Sequence, residues 1–238
     1  MIKPKRVRQV KTPKADVPLT SITPRNAKQA EYLTALRTKD QVISIGPAGA
    51  GKTWLATCHA GQQLIVGKKE RLIFTRPTIS RKEHELGFLP GTADEKIEPW
   101  LVPIMDSLSD VMSTGTIARR RKEGSISYLP FQHMRGRTLK DAIVVLDEAQ
   151  NCDLESLKMF VTRMGEGSQF LINGDLEQVD IKNSGLTTLM KIAKLYVPSV
   201  SVIEFGDEDI VRSVNTKQWV TGFRRYACNS VDQYNQLP

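Results

Sequence analysis

Apolar residues in this chain come in two patterns: short continuous runs, and stretches where they recur every three or four positions. The runs at 41–45, 71–75, 142–146, 169–172 and 200–205 read as strands. The run at 142–146 is apolar throughout, as suits a central parallel strand. Helical spacing covers 23–37, 51–66, 154–164, 186–194 and 216–226. The first of these opens on Thr23-Pro24, a cap followed by proline at the first helical position. A further helix is expected within 93–112, with Pro99 and Pro103 as points for a break or kink, and a basic turn at 119–122. Strands alternating with helices predict an α/β domain with one parallel sheet covered on both faces.

Length and composition narrow the class. At 238 residues there is room for one substantial core, and the apolar and charged fractions are those of a globular protein. No stretch approaches the roughly 20 apolar residues of a membrane helix, and the charged N-terminus lacks a signal-peptide pattern. Cys58, Cys152 and Cys228 are too scattered for a disulfide framework or a zinc knuckle, which fits a reducing cytoplasm. The expected division is a basic, flexible arm over 1–20 and one domain over 21–238. The arm carries Lys3, Lys5, Arg6, Arg8, Lys11 and Lys14 against Asp16 alone, within a net charge of +8. That asymmetry suggests a polyanionic partner, or else a solubilising tail.

The chemistry lies at strand ends. Gly46, Pro47, Ala48, Gly49, Ala50, Gly51, Lys52 and Thr53 fit the pattern G-x-x-x-x-G-K-[ST]. Glycines there let a loop wrap phosphates with its amides, and the next helix presents its positive end to the same anion. Lys52 is expected to reach the β- and γ-phosphates of ATP, and Thr53 to place its hydroxyl on Mg²⁺. Asp147 and Glu148 follow the apolar run at 142–146, where a parallel sheet presents carboxylates to a ligand. Asp147 is assigned to the metal and Glu148 to orienting the attacking water.

Asp147-Glu148-Ala149-Gln150 resembles motif II of superfamily 1 helicases, and Gly174-Asp175-Leu176-Glu177-Gln178 resembles their motif III. Asn26 and Gln29 are similar to the adenine-reading Q motif. A closer resemblance is to the PhoH-like ATPases. It rests on Thr75-Arg76-Pro77, the runs at 86–91 and 134–139, and Asp147 to Asn151. It continues through 160–163, Ser184-Gly185-Leu186 and 209–212, covering about residues 22–226.

The resemblance implies a single RecA-like P-loop domain that hydrolyses ATP, acts on single-stranded nucleic acid with RNA favoured over DNA, and assembles as a homo-oligomeric ring, a hexamer. By position, Gln29 would read adenine, Gln178 would sense the γ-phosphate, and Asp175 would support the metal and water network. Thr75 and Arg76 would stand where related motors touch the single strand. Some relatives carry a preceding nuclease domain, for which this chain has no room, and Ser213 replaces the histidine expected after Arg212.

A single domain lacks the arginine that a second domain gives the γ-phosphate, so Arg212 is expected to act on a neighbouring copy, with Arg137 as runner-up. The plain alternatives are a surface arginine paired with a nearby acid, and for Gln29 a polar residue on a solvated face. Trp54, Trp100 and Trp219 are expected to pack in the core or between helices. Two other functions stay open: a nucleotide-dependent switch for a protein partner, and an ATP-dependent DNA-handling factor.

Overall fold

Six parallel strands form the centre of the molecule, in the order β3-β2-β4-β5-β1-β6. The computed structural model describes residues 20–77 and 93–234, so the basic arm and the 86–91 run lie outside the described residues. The strands are β1 (Gln41–Ile45), β2 (Arg71–Thr75), β3 (Ile126–Tyr128), β4 (Ala142–Leu146), β5 (Gln169–Gly174) and β6 (Val200–Glu204). The helices are α1 (Ala27–Thr38), α2 (Lys52–Ile65), α3 (Ala93–Ser109), α4 (Thr114–Lys122), α5 (Leu154–Val161), α6 (Leu186–Tyr196) and α7 (Val214–Tyr234). Among the described residues no helix is long and apolar enough to cross a membrane.

Both faces of the sheet are covered, as the RecA-like architecture requires. Alternate residues of each strand point to opposite sides. Val42, Leu72, Ile143 and Leu171 join α1 to α4 in one core; Ile43, Ile73, Val144 and Phe170 join α5 and α6 in the other. Every residue of β4 and β5 is buried, which explains the unbroken apolar run of β4 and the Phe170-Leu171-Ile172 run within β5. On the second face Phe160 stacks on Phe131 at 5.9 Å and tilts against Phe170 at 4.9 Å, so truncating it to alanine should cost about 3–5 kcal/mol.

Several local expectations give way to tertiary context. The first helix begins at Ala27, because the Asn26 side chain accepts from the Gln29 amide at 2.8 Å and caps it there. α3 continues through Pro99 and Pro103, held by Leu101, Ile104 and Leu108 in the core it shares with α2. The basic residues 119–122 form the last turn of α4, where cations face the negative end of the helix dipole. β3 is an edge strand of three residues, too short to show a period. Trp54 packs partly buried against the core, whereas Trp219 is 69% exposed and stacks on Phe223 along α7.

The register fixes which strand ends meet. Ile45 pairs with Gly174 and Glu204, Leu146 with Ile172, and Thr75 with Leu146. The segments that follow β1, β2, β4, β5 and β6 therefore leave the sheet along one edge. β5 lies between the strand leading to Gly46 and the strand leading to Asp147, so those two segments face each other across one strand width.

Candidate active site

The loop from Gly46 to Gly51 leaves β1 and turns into α2 through three glycines with positive φ: 140° at Gly46, 87° at Gly49 and 89° at Gly51. Space as well as torsion excludes side chains. A Cβ on Gly46 would stand 2.5 Å from the Phe205 carbonyl oxygen, and one on Gly49 would stand 2.6 Å from Arg212 Cγ. The first turn of α2 holds no acidic residue, so its dipole and free amides are left for an anion. Lys52 lies buried under the loop and donates to the Gly46 carbonyl at 2.7 Å and the Pro47 carbonyl at 2.9 Å. Burial pulls its pKa down, against the opposing pull of Asp175, Asp147 and Glu148.

Thr53 Oγ1 donates to Asp147 Oδ1 across 2.8 Å. Burial and the neighbouring Glu148 carboxylate raise the Asp147 pKa, opposed by the Thr53 bond, Arg76 and Lys52. The result is a hydroxyl and a desolvated carboxylate side by side at the mouth of a phosphate loop. Hard oxygen donors in that setting suit Mg²⁺, and a divalent cation there would relieve the burial of the carboxylate charge. The residues fit the metal expected from the sequence.

Glu148 adopts a left-handed backbone, φ 56° and ψ 40°, unusual for a residue with a side chain. Its two carboxylate oxygens are held separately. Oε2 accepts from Gln150 Nε2 at 2.6 Å, and Oε1 stands 3.6 Å from Arg76 Nη2. Thr75, its neighbour at the end of β2, is 1% exposed and meets Asp147 only through its carbonyl, which accepts the Asp147 amide at 3.0 Å. Arg76 is thus the accessible member of the pair expected to meet a single strand.

Gln150 is the residue that the sequence reading left without a role. Fully buried, it donates to Glu148 Oε2 and to the Gln178 carbonyl at 3.1 Å, and accepts from the Asp175 amide at 3.0 Å. One side chain therefore ties the turn after β4 to the turn after β5. Asp175 in turn accepts from the Gln178 side chain at 3.1 Å and from the Glu177 amide at 3.0 Å. The signal in the sequence is its place as the last residue of the Asp147-Glu148-Ala149-Gln150 run.

Gln29 and Arg212 make contacts within the chain that their expected roles do not require. Gln29 is 2% exposed, with both ends of its amide engaged: it donates to the Ala50 carbonyl at 2.9 Å and accepts from the Arg25 amide at 2.8 Å. It braces the phosphate loop from behind, because α1 packs against the loop side of α2. It is therefore not on a solvated face.

Arg212, expected to reach a neighbouring copy, lies across its own phosphate loop. Its Cγ covers Gly49, and the Val211 amide donates to the Gly49 carbonyl at 3.0 Å. The reason is sheet order: β6 pairs with β1, so the segment after β6 emerges beside the loop after β1. Arg212 also borders an open cavity of about 440 Å³ lined by Val214, Lys217, Gln218, Thr221 and Gly222 of α7. Arg137 is exposed, on a turn after the 131–134 segment.

Comparison with known proteins gives the family of the chain. The family model described as "PhoH-like protein" matches residues 21–223. A PhoH-like protein of Bacillus subtilis is 43% identical over 195 residues, covering 81% of this chain and 60% of that protein. One from Mycobacterium bovis is 40% identical over 209 residues, covering 87% of this chain and 59% of that protein. Protein PhoH of Escherichia coli is 38% identical over 196 residues, covering 81% and 55%. The chain therefore spans a little under two thirds of the length of these relatives. Among solved structures, the DUF1998 helicase MrfA bound to DNA aligns with a TM-score of 0.44 at 11% identity, covering 75% of this chain and 25% of that one. The Pif1 helicase from Candida albicans aligns with a TM-score of 0.38 at 14% identity, covering 78% and 40%.

Proposed function

The chain belongs to the PhoH-like family, and from that premise we propose that it binds Mg-ATP at the Gly46–Gly51 loop and hydrolyses it to act on single-stranded nucleic acid, RNA in preference to DNA. The observation that carries this reading is the pair Thr53–Asp147, set 2.8 Å apart at the mouth of a loop whose amides and lysine suit a triphosphate. A structural glycine turn has no use for a buried lysine and a desolvated carboxylate together.

Lys52 exchanges its two carbonyl partners for the β- and γ-phosphates, with its charge facing the transferred group. Thr53 and Asp147 would hold Mg²⁺, which when bound would neutralise charge on the phosphate oxygens. Glu148 orients a water and takes its proton as the water oxygen bonds to the γ-phosphorus and the bond to the bridging oxygen breaks, leaving ADP and inorganic phosphate. Gln178 reads the γ-phosphate from the turn after β5, Asp175 supports the metal and water network beside it, and Gln150 relays their position to Glu148. Gln29 keeps the loop in shape, and Arg212 gives its own loop a cation for the phosphates.

The same reading includes a homo-oligomeric ring, a hexamer. With Arg212 committed to its own loop, the exposed Arg137 is the arginine a neighbour would receive. Support for a nucleic-acid partner rests on the basic balance of the chain and on Arg76 standing accessible at the catalytic edge.

Turnover assays test the reading. ATP hydrolysis should rise on adding single-stranded RNA, and less on adding single-stranded DNA. Lys52→Ala should abolish it. Glu148→Gln should still bind Mg-ATP while turning over about a hundredfold slower. Glu148→Gln turnover within about twofold of wild type would overturn the role given to that carboxylate.

A further inference from the structure

Hydrolysis needs the Glu148 carboxylate aimed at a water, yet both of its oxygens are directed elsewhere. Gln150 takes Oε2 at 2.6 Å, inside a buried network that joins two motifs and therefore has a fixed structural use. Arg76 faces Oε1 at 3.6 Å, with the two side chains 40% and 30% exposed. The register explains the meeting: β2 pairs with β4, Thr75 stands opposite Leu146, and the residues one step beyond are Arg76 and Asp147.

We propose that Arg76 is a positioning residue that holds Glu148 away from the attacking water until a phosphate of single-stranded nucleic acid claims its guanidinium. The argument rests on the function proposed above. A guanidinium binds phosphate oxygens through a planar fork of donors, better than it binds one oxygen of a carboxylate at 3.6 Å. A part-exposed pair is weak enough to be exchanged for such a ligand, whereas a buried one would not be. The left-handed backbone of Glu148 adds to the restraint, because the carboxylate leaves the strand at an angle that Arg76 and Gln150 together fix. Nucleic acid bound at the end of β2 thereby releases the base of the reaction without touching the nucleotide. ATP turnover is low in its absence for a local electrostatic reason.

The test compares Arg76→Ala, Arg76→Gln and Arg76→Lys with wild type, using ATP turnover with and without oligouridylate and, separately, binding of a labelled oligouridylate. Melting by circular dichroism checks that each variant is folded. Arg76→Ala and Arg76→Gln should hydrolyse ATP about two- to fivefold faster than wild type without RNA, the range that exposed ion pairs support. Their further gain on adding RNA should shrink, and Arg76→Lys should restore part of the restraint. An unchanged or lower RNA-free rate in folded Arg76→Ala and Arg76→Gln, beside a wild type that responds to RNA, overturns the restraint alone. A wild type whose turnover ignores both RNA and single-stranded DNA overturns the trigger, and with it the nucleic-acid part of the proposed function.

Discussion

Thr53 and Asp147 stand 94 positions apart in the chain and 2.8 Å apart in the fold, a helix start bonded to the residue after a strand. The bond crosses above β5, which separates their two strands, and it joins the phosphate loop to the acidic pair. If this pair is the metal seat, Thr53→Ala should raise the Mg²⁺ concentration needed for half-maximal turnover by about tenfold, and chelation should abolish turnover. Titrating MgCl₂ at saturating ATP measures it. An unshifted midpoint would remove Thr53 from the metal site.

Gln150 offers a test of the coupling between the two turns. Gln150→Ala leaves the Asp175 amide and the Gln178 carbonyl without their partner and frees one Glu148 oxygen. Urea denaturation should show a loss of about 1–3 kcal/mol, with turnover reduced in the same protein. Full stability together with full activity would mean that the network carries no load.

Arg212 makes a prediction about complementation. If Arg212 and Lys52 serve the loop of one copy, as proposed, mixing Lys52→Ala with Arg212→Ala protein should restore no hydrolysis, even when the subunits co-assemble. Arg212→Ala alone should lower turnover by roughly tenfold or more. Recovery of activity in the mixture would show that Arg212 works on a neighbour after all.

His59 links stability to pH. It lies buried in α2 with Nε2 3.0 Å from Gln169 Oε1, and burial pulls its pKa from 6.5 down to about 4, aided by Arg37, Lys68 and Lys69. Between those values the unfolded chain binds a proton that the folded chain does not. Stability should therefore be full above about pH 6.5 and fall as pH drops toward 4, with a slope of about 1.4 kcal/mol per unit. Denaturation midpoints across that window should lose this part of their slope in His59→Gln, which cannot take up the proton.

Much of this was legible in the residues. Of the strands, β1, β2 and β4 have the bounds that the sequence predicts, and β4, buried along its whole length, is apolar throughout. The three-residue edge strand β3 left no such mark. The first helix was misplaced because Thr23-Pro24 and Asn26 are both sound starts locally, and only the bond from Gln29 to Asn26 decides between them. Trp219 was expected in a core or a helix contact, but among the described residues it lies in neither core cluster and stays 69% exposed.

The sequence by itself determined the parts of the site that are contiguous. A phosphate loop works through consecutive backbone amides, and a metal-binding acid follows directly on its strand, so both are written as short runs: Gly46 to Thr53, and Asp147 with Glu148. Tertiary structure alone decided everything that depends on which strand ends are neighbours. That order placed Arg212 on its own loop, Arg76 against Glu148, Gln150 between two turns and Gln29 behind the cradle. Each of these pairs joins residues whose separation along the chain carries no information about distance. What brings them together is the pairing of β6 with β1, of β2 with β4 and of β4 with β5, and the packing of α1 on α2, chosen by burial over the whole domain rather than by any local period.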